Sequence, residues 1–172
     1  MIGEPERRFV IEAFDAVRHE RTGFSCGVVQ IDNYFKHSAN KLSKAGNVRI
    51  FVITQGDFEV MGFYALNAHM VDYRALPPQF ARDRPNHGSI PAAFISMIGV
   101  DLRFQGKGYG GDLLADALAR IRTASRDLGI AVAMLDILDD GQEELIARRK
   151  ALYEDFGFKA LETQKLRMWL RV

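Results

Sequence analysis

Residues 98–111 run without a break into an apolar-periodic segment, 113–128, and this junction constrains the chain more than any other part of it. It reads as a buried strand, a glycine-rich loop and then a helix. That order gathers backbone N–H groups at a helix N-terminus and points them at an anion, so a phosphorylated ligand is expected there. Glycines at 106, 108 and 111, with Lys107 among them, are more than a change of chain direction needs.

Two familiar phosphate motifs compete for this loop. Gly106-x-Gly108-x-x-Gly111 matches the dinucleotide fingerprint, and Asp136 follows where a ribose-binding acid is sought. A dinucleotide fold, however, runs its first strand almost directly into the first glycine. Here residues 101–105 intervene, and too few βα units follow to build a doubly wound sheet. The phosphate loop of nucleotide hydrolases fails because Lys107 is not followed by Ser or Thr.

With 172 residues, 48% of them hydrophobic, the chain is expected to form a single domain over 1–172 that buries its own core. Its 23 Lys+Arg against 22 Asp+Glu give a net charge of +1, which exerts no global pull on polyanions but leaves room for a local basic patch. Cys26 is the sole cysteine, so an intrachain disulfide is excluded and a reducing, cytoplasmic setting is expected. The opening residues carry Glu4, Glu6, Arg7 and Arg8, unlike a secretory leader, and no window approaches ~18 apolar residues, so no membrane partner is expected. His19, His37, His69 and His87 show no metal-ligand spacing with Cys26 or a carboxylate, and no metal is expected.

Periodicity supplies the remaining elements. Ile31, Tyr34, Phe35, Ser38, Ala39 and Leu42 predict a short amphipathic helix capped by Asp32, with Gly46 beyond its end. The β-rich runs 48–54 and 60–65, separated by a turn containing Gly56 and Asp57, predict an antiparallel hairpin. A polar, breaker-rich loop is expected over 76–91, a central strand over 93–100, and a helix whose buried face includes Leu128 and which closes at Gly129. Residues 130–138 read as a strand covered on both faces and 143–156 as a helix stopped by Gly157. At the C-terminus, Leu166, Met168, Leu170 and Val172 alternate with Arg167, Trp169 and Arg171, the period of a strand with one buried face. The class is mixed α/β.

Gln105-x-x-Gly108-x-Gly110, preceded by a strand ending Gly99-Val100-Asp101, resembles the acetyl-CoA signature of the GNAT superfamily of N-acetyltransferases, and Tyr153-Glu-Asp-Phe156-Gly157-Phe158 resembles its closing motif. The resemblance covers 48–172. It implies a GNAT fold: a mixed, mostly antiparallel twisted sheet flanked by helices, with a V-shaped splay that holds acetyl-CoA. It also implies that the backbone of Gln105, Gly106, Lys107, Gly108, Tyr109, Gly110 and Gly111 holds the CoA pyrophosphate. Ile98, Gly99 and Val100 would pair with the pantetheine arm, and Phe156 would join the cofactor-binding set. The physics agrees, because a diphosphate needs several convergent N–H donors, little side-chain bulk and the positive end of a helix dipole.

Acyl transfer from a thioester to an amine requires a neutral amine, a donor for the developing oxyanion and a proton for the departing thiolate. The resemblance implies Tyr153 as that proton donor; in isolation an aromatic at this spacing reads as core. No general base stands out: His69, Asp72 and Glu59 qualify on position only, and Asp136 is expected to sit too deep. An α-amine, with a pKa near ~7.7–8.0, is partly neutral without one, whereas a lysine near ~10.4 is not.

Residues 24–27 (Phe24, Ser25, Cys26, Gly27), 31–35, 39–46 and 60–66 are similar to the GNAT toxins of bacterial toxin–antitoxin pairs. That resemblance implies the α-amine of aminoacyl-tRNA as acceptor and a small ribbon-helix-helix antitoxin as partner; a homodimer, paired through the terminal strands, is also expected. A tRNA-binding member needs a basic face, for which Arg18, Arg21, Lys36, Lys41, Lys44 and Arg49 are the candidates. A small-molecule or protein amine as acceptor, and a non-catalytic CoA-binding regulatory module, stay open as alternatives.

Overall fold

The computed structural model describes residues 8–172. Its strands are β1 (Val10–Ala13), β2 (Arg49–Thr54), β3 (Gly62–Asp72), β4 (Ser89–Val100), β5 (Val132–Asp136), β6 (Lys159–Ala160) and β7 (Arg167–Arg171). They form a seven-stranded sheet in the order β1-β2-β3-β4-β5-β7-β6. The helices are α1 (Val29–Asn33), α2 (Ala39–Lys44), α3 (Tyr109–Ala124) and α4 (Glu143–Asp155), with a π-helical turn, Tyr34–Ser38, between the first two. The pairs β1·β2, β5·β7 and β6·β7 are antiparallel. β4 and β5 run parallel, which demands the long crossover that α3 supplies. This is the mixed α/β, mostly antiparallel architecture that the sequence predicts. The β4·β5 ladder runs from Ala92↔Val132 to Ile95↔Leu135, and β4 continues to Val100.

Contacts divide the chain into two compact units, Met1–Ala65 with Met97–Leu114, and Leu66–Ser96 with Ala115–Val172. In the first, Phe35 and Phe63 are fully buried and stack at 4.2 Å, with Phe24 edge-on to both at 5.0 and 5.6 Å. Each such pair adds about 0.5–1.5 kcal/mol beyond the area it buries. In the second, Val132, Ala133, Met134 and Leu135 are all buried, as a strand covered on both faces requires. Trp169 meets Phe80 edge-on at 5.4 Å above them.

Several expectations are corrected. The helix predicted from Ile31 begins at Val29, and Asp32 lies inside it: its carboxylate accepts from Cys26 N (2.8 Å) and Ser25 Oγ (3.0 Å), closing the segment before the helix instead of capping the helix itself. β4 begins at Ser89 and so includes Pro91, whose carbonyl accepts from Ala131 N at 2.9 Å. The loop before it is not wholly polar, since Leu76 and Phe80 are buried. α3 ends at Ala124, which leaves Leu128 63% exposed. Trp169 does not face solvent, because Phe80 covers that side of β7, and the guanidinium groups of Arg171 and Arg167 lie over Phe80 (5.3 Å) and Phe94 (5.8 Å). β1 and β6 are additional to the strands that the sequence predicts, and the C-terminal strand, β7, lies between β5 and β6. No helix among the described residues is long and apolar enough to cross a membrane.

Candidate active site

The glycine loop is built on a pinned strand end. Asp101 N donates to Met61 O and Leu102 N to Ser25 O, both at 2.8 Å. The Asp101 side chain is only 3% exposed, and its carboxylate accepts from Ser25 N (3.2 Å), Arg103 N (3.0 Å) and Arg103 Nε (2.9 Å). Burial opposes ionisation of this carboxyl, but the Arg103 guanidinium and the two backbone donors outweigh it, and the group titrates below the ordinary carboxylate range. Arg103 is held in turn by Glu59. Sequence reasoning gave Asp101 no role beyond marking the end of a strand motif.

Beyond one turn of 3-10 helix, Leu102–Phe104, residues 105–108 are exposed. Gly106 and Gly108 take φ of +78° and +89°, a region that costs a residue with a Cβ about 1–2 kcal/mol. Gly108 O accepts from Asp112 N at 3.1 Å, which makes Gly108 the cap of α3. The amides of the first turn after it have no acceptor within the helix, and a glycine cap has no side chain to offer them. The Tyr109 ring is buried edge-on against Phe9 (6.2 Å) and Phe104 (6.4 Å), so its side chain is spent on packing. Lys107 Nζ lies 5.8 Å from the Phe104 ring centre. Ile98, Gly99 and Val100 are half-buried at the end of β4. The chain therefore brings the predicted cofactor residues 98–100 and 105–111 together on one strand–loop–helix connection, and their geometry fits a diphosphate carrying an extended arm.

Tyr153 belongs to the other unit. It sits late on α4, is 6% exposed, and packs edge-on against Phe158 at 6.3 Å. Burial pushes its hydroxyl pKa up to about 12, against a smaller opposing influence from Arg149. Among the described residues nothing hydrogen-bonds that hydroxyl, yet its oxygen is not sealed from solvent. α4 stops where Gly157 adopts φ +96°, and half-buried Phe156 closes its last turn through Phe156 N to Tyr153 O, 3.1 Å. Arg149 ties the helix back to the 139–142 loop through Asp140 at 3.0 Å.

The positional candidates for a base are engaged elsewhere. Arg74 donates to both oxygens of Asp72 and holds its pKa at about 2. His69 lies against the Phe94 ring at 5.2 Å, and Glu59 pairs with Arg103. Asp136 is not deep: its side chain is 44% exposed and takes a two-pronged ion pair from Arg167 at 2.7 and 2.8 Å. That pairing, in a mostly antiparallel sheet, also removes the ribose-binding acid of the dinucleotide reading. Of the basic candidates, Arg18 is paired with Glu12 and Arg21 caps Phe35 O at 3.0 Å. Lys41, Lys44 and Arg49 are exposed, and none of them forms an ion pair with a described carboxylate.

No family model matches the chain. A protein of Sinorhizobium fredii named probable toxin TacT is 54% identical over 164 residues, 95% of this chain and 91% of that protein. A Mycobacterium tuberculosis protein named tRNA-acetylating toxin is 32% identical over 149 residues, 87% of this chain and 84% of that one. The chain belongs to the GNAT acetyltransferase toxins. Solved GNAT toxins share its fold: AtaT complexed with acetyl-methionyl-tRNAfMet superposes with a TM-score of 0.82 at 19% identity, covering 95% of this chain and 94% of that one. A tyrosine-to-phenylalanine mutant of KacT gives 0.83 at 22%, covering 96% and 95%.

Proposed function

We propose that this GNAT toxin transfers the acetyl group of acetyl-CoA to the α-amine of an aminoacyl-tRNA, working as one catalytic domain in the cytoplasm, as a homodimer held in check by an antitoxin. The observation that carries the cofactor is the left-handed Gly106/Gly108 loop opening into α3, whose backbone suits a diphosphate and whose side chains leave room for one. The acceptor is supported by the relative named tRNA-acetylating toxin, and by solved relatives described as complexed with an acetylated tRNA and as bound with acetyl-CoA. An antitoxin is supported by the AtaT structure described as bound to the C-terminus of the antitoxin AtaR.

Acetyl-CoA supplies an acetyl group already activated as a thioester. The amides of residues 106–111 hold the diphosphate, and Ile98, Gly99 and Val100 pair with the pantetheine arm. The neutral α-amine attacks the thioester carbonyl and forms the amide as the carbon–sulfur bond breaks; Tyr153, which keeps its proton throughout the physiological range, gives it to the leaving sulfur and regains the proton that the amine nitrogen sheds, and Phe156 lines the same end of α4. No carboxylate or histidine is needed to activate an amine that is already partly neutral near pH 8. Lys36, Lys41, Lys44 and Arg49 lie within residues 33–49, which contain no acidic residue, and this segment meets the tRNA phosphates. The test is incubation with labelled acetyl-CoA and separate pools of charged tRNA, deacylated tRNA, peptides and polyamines. Label on charged tRNA alone supports the reading. Label on peptides or polyamines shifts the acceptor class, and cofactor binding with no transfer leaves a regulatory module.

A further inference from the structure

We propose that Gln105 is a positioning residue: its side chain clamps the hinge of the glycine loop and so aims the loop's amides at the diphosphate, without touching the diphosphate itself. This rests on acetyl-CoA being the bound cofactor. The Gln105 amide nitrogen has two hydrogens, and Nε2 donates to Val100 O at 2.8 Å and to Cys26 O at 2.9 Å. Both donors are therefore spent on carbonyls, which leaves none for a phosphate.

The two anchors are themselves fixed. Val100 is the last residue of β4, followed by the pinned Asp101. Cys26 N donates to Asp32 Oδ1 at 2.8 Å, and neighbouring Ser25 is tied to Asp101 and Leu102. The Cys26 side chain and Ile31 also lie against Gly99, where an added Cβ would meet Ile31 Cγ2 at 3.1 Å and Cys26 Cβ at 3.5 Å. Gln105 thus joins the end of β4 to the Ser25–Cys26 segment that leads into α1, far apart in sequence.

Immediately beyond Gln105, Gly106 adds no packing of its own. Gly106 has no side chain, and a Cβ built there would meet nothing within 4 Å. Without the clamp the 106–108 segment gains conformers, and the cofactor must then bear the cost of ordering it. That cost falls on the diphosphate and not on the pantetheine arm, which distinguishes a clamp from general structural support.

The test compares the wild-type chain with Gln105→Met, which keeps the length and loses both donors, and Gln105→Arg, whose guanidinium can donate to both carbonyls. KM and kcat are measured with acetyl-CoA and with S-acetylpantetheine, which lacks the diphosphate. Gln105→Met is expected to raise the acetyl-CoA KM about tenfold while leaving kcat and the S-acetylpantetheine KM within about twofold. Gln105→Arg is expected to keep the wild-type acetyl-CoA KM and its salt dependence. A Met variant that weakens both donors equally, or neither, overturns the proposal, as does an Arg variant that binds acetyl-CoA more tightly with a steeper salt dependence, the mark of a direct phosphate contact. Wild-type chain that ignores acetyl-CoA overturns the proposed function as well. Wild-type turnover with an unaffected Met variant overturns the clamp alone.

Discussion

Gly62 and Gly99 approach so closely that a Cβ on Gly62 would lie 2.9 Å from the Gly99 carbonyl oxygen, with Leu113 and Ile53 at 3.0 and 3.2 Å on its other sides. Backbone cannot swing aside as a side chain can. Gly62→Ala is therefore expected to lower stability by about 1–3 kcal/mol, as overpacking of a closed site does. Thermal melting should fall by roughly 2–12 °C, at about 2–4 °C per kcal/mol for a chain of this size. An unchanged melting temperature would show that the two strands separate freely at this point.

Tyr153→Phe keeps the ring that packs against Phe158 and removes only the hydroxyl. If that hydroxyl protonates the leaving thiolate, kcat falls by about 10²–10⁴-fold, the usual worth of a positioned acid. Calorimetry should find acetyl-CoA affinity unchanged. Undiminished kcat would take Tyr153 out of the chemistry.

The pH profile depends on the same residue. Its folded-state pKa, about 12, lies above the ordinary tyrosine value near ~10, so its neutral form is favoured by folding; that contribution is complete below pH ~10 and is lost as pH rises through 12. Acetyl transfer should rise with pH through ~7.7–8.0 as the α-amine of the acceptor loses its proton, then hold level to pH ~10. A descending limb below pH 9 in kcat for protein that remains folded would contradict Tyr153 as the acid.

The glycine loop was legible in the sequence because its requirements are local: φ near +80° at Gly106 and Gly108, and a helix cap with no side chain, select glycine wherever the chain goes next. The end of α4 was legible for the same reason at Gly157. The contacts that hold the loop were not legible. Gln105 reaches Cys26 and Asp101 reaches Ser25 across more than seventy residues, and nothing in the spacing of those residues announces the pairing. β1 and β6 owe their existence to partner strands more than to any period of their own. Trp169 was placed on the wrong face because alternation cannot foresee that Phe80, in a loop read as polar, folds over it.

Lys41 and Lys44 stand exposed on α2 with no described carboxylate beside them. The double change Lys41→Glu, Lys44→Glu should weaken tRNA binding severalfold or more at 100 mM salt, and it should reduce the slope of log affinity against log salt by about one for each phosphate that is no longer neutralised. Acetyl-CoA affinity should not move. An unaltered tRNA affinity and slope would place the nucleic acid on another surface.

A crystal structure of the chain with acetyl-CoA shows whether the backbone amides of residues 106–111 seat the diphosphate. Diphosphate oxygens are expected within hydrogen-bonding distance, about 2.7–3.2 Å, of several of those N–H groups, with Gly106 and Gly108 still at positive φ. A cofactor found bound elsewhere, with this loop empty, would contradict it.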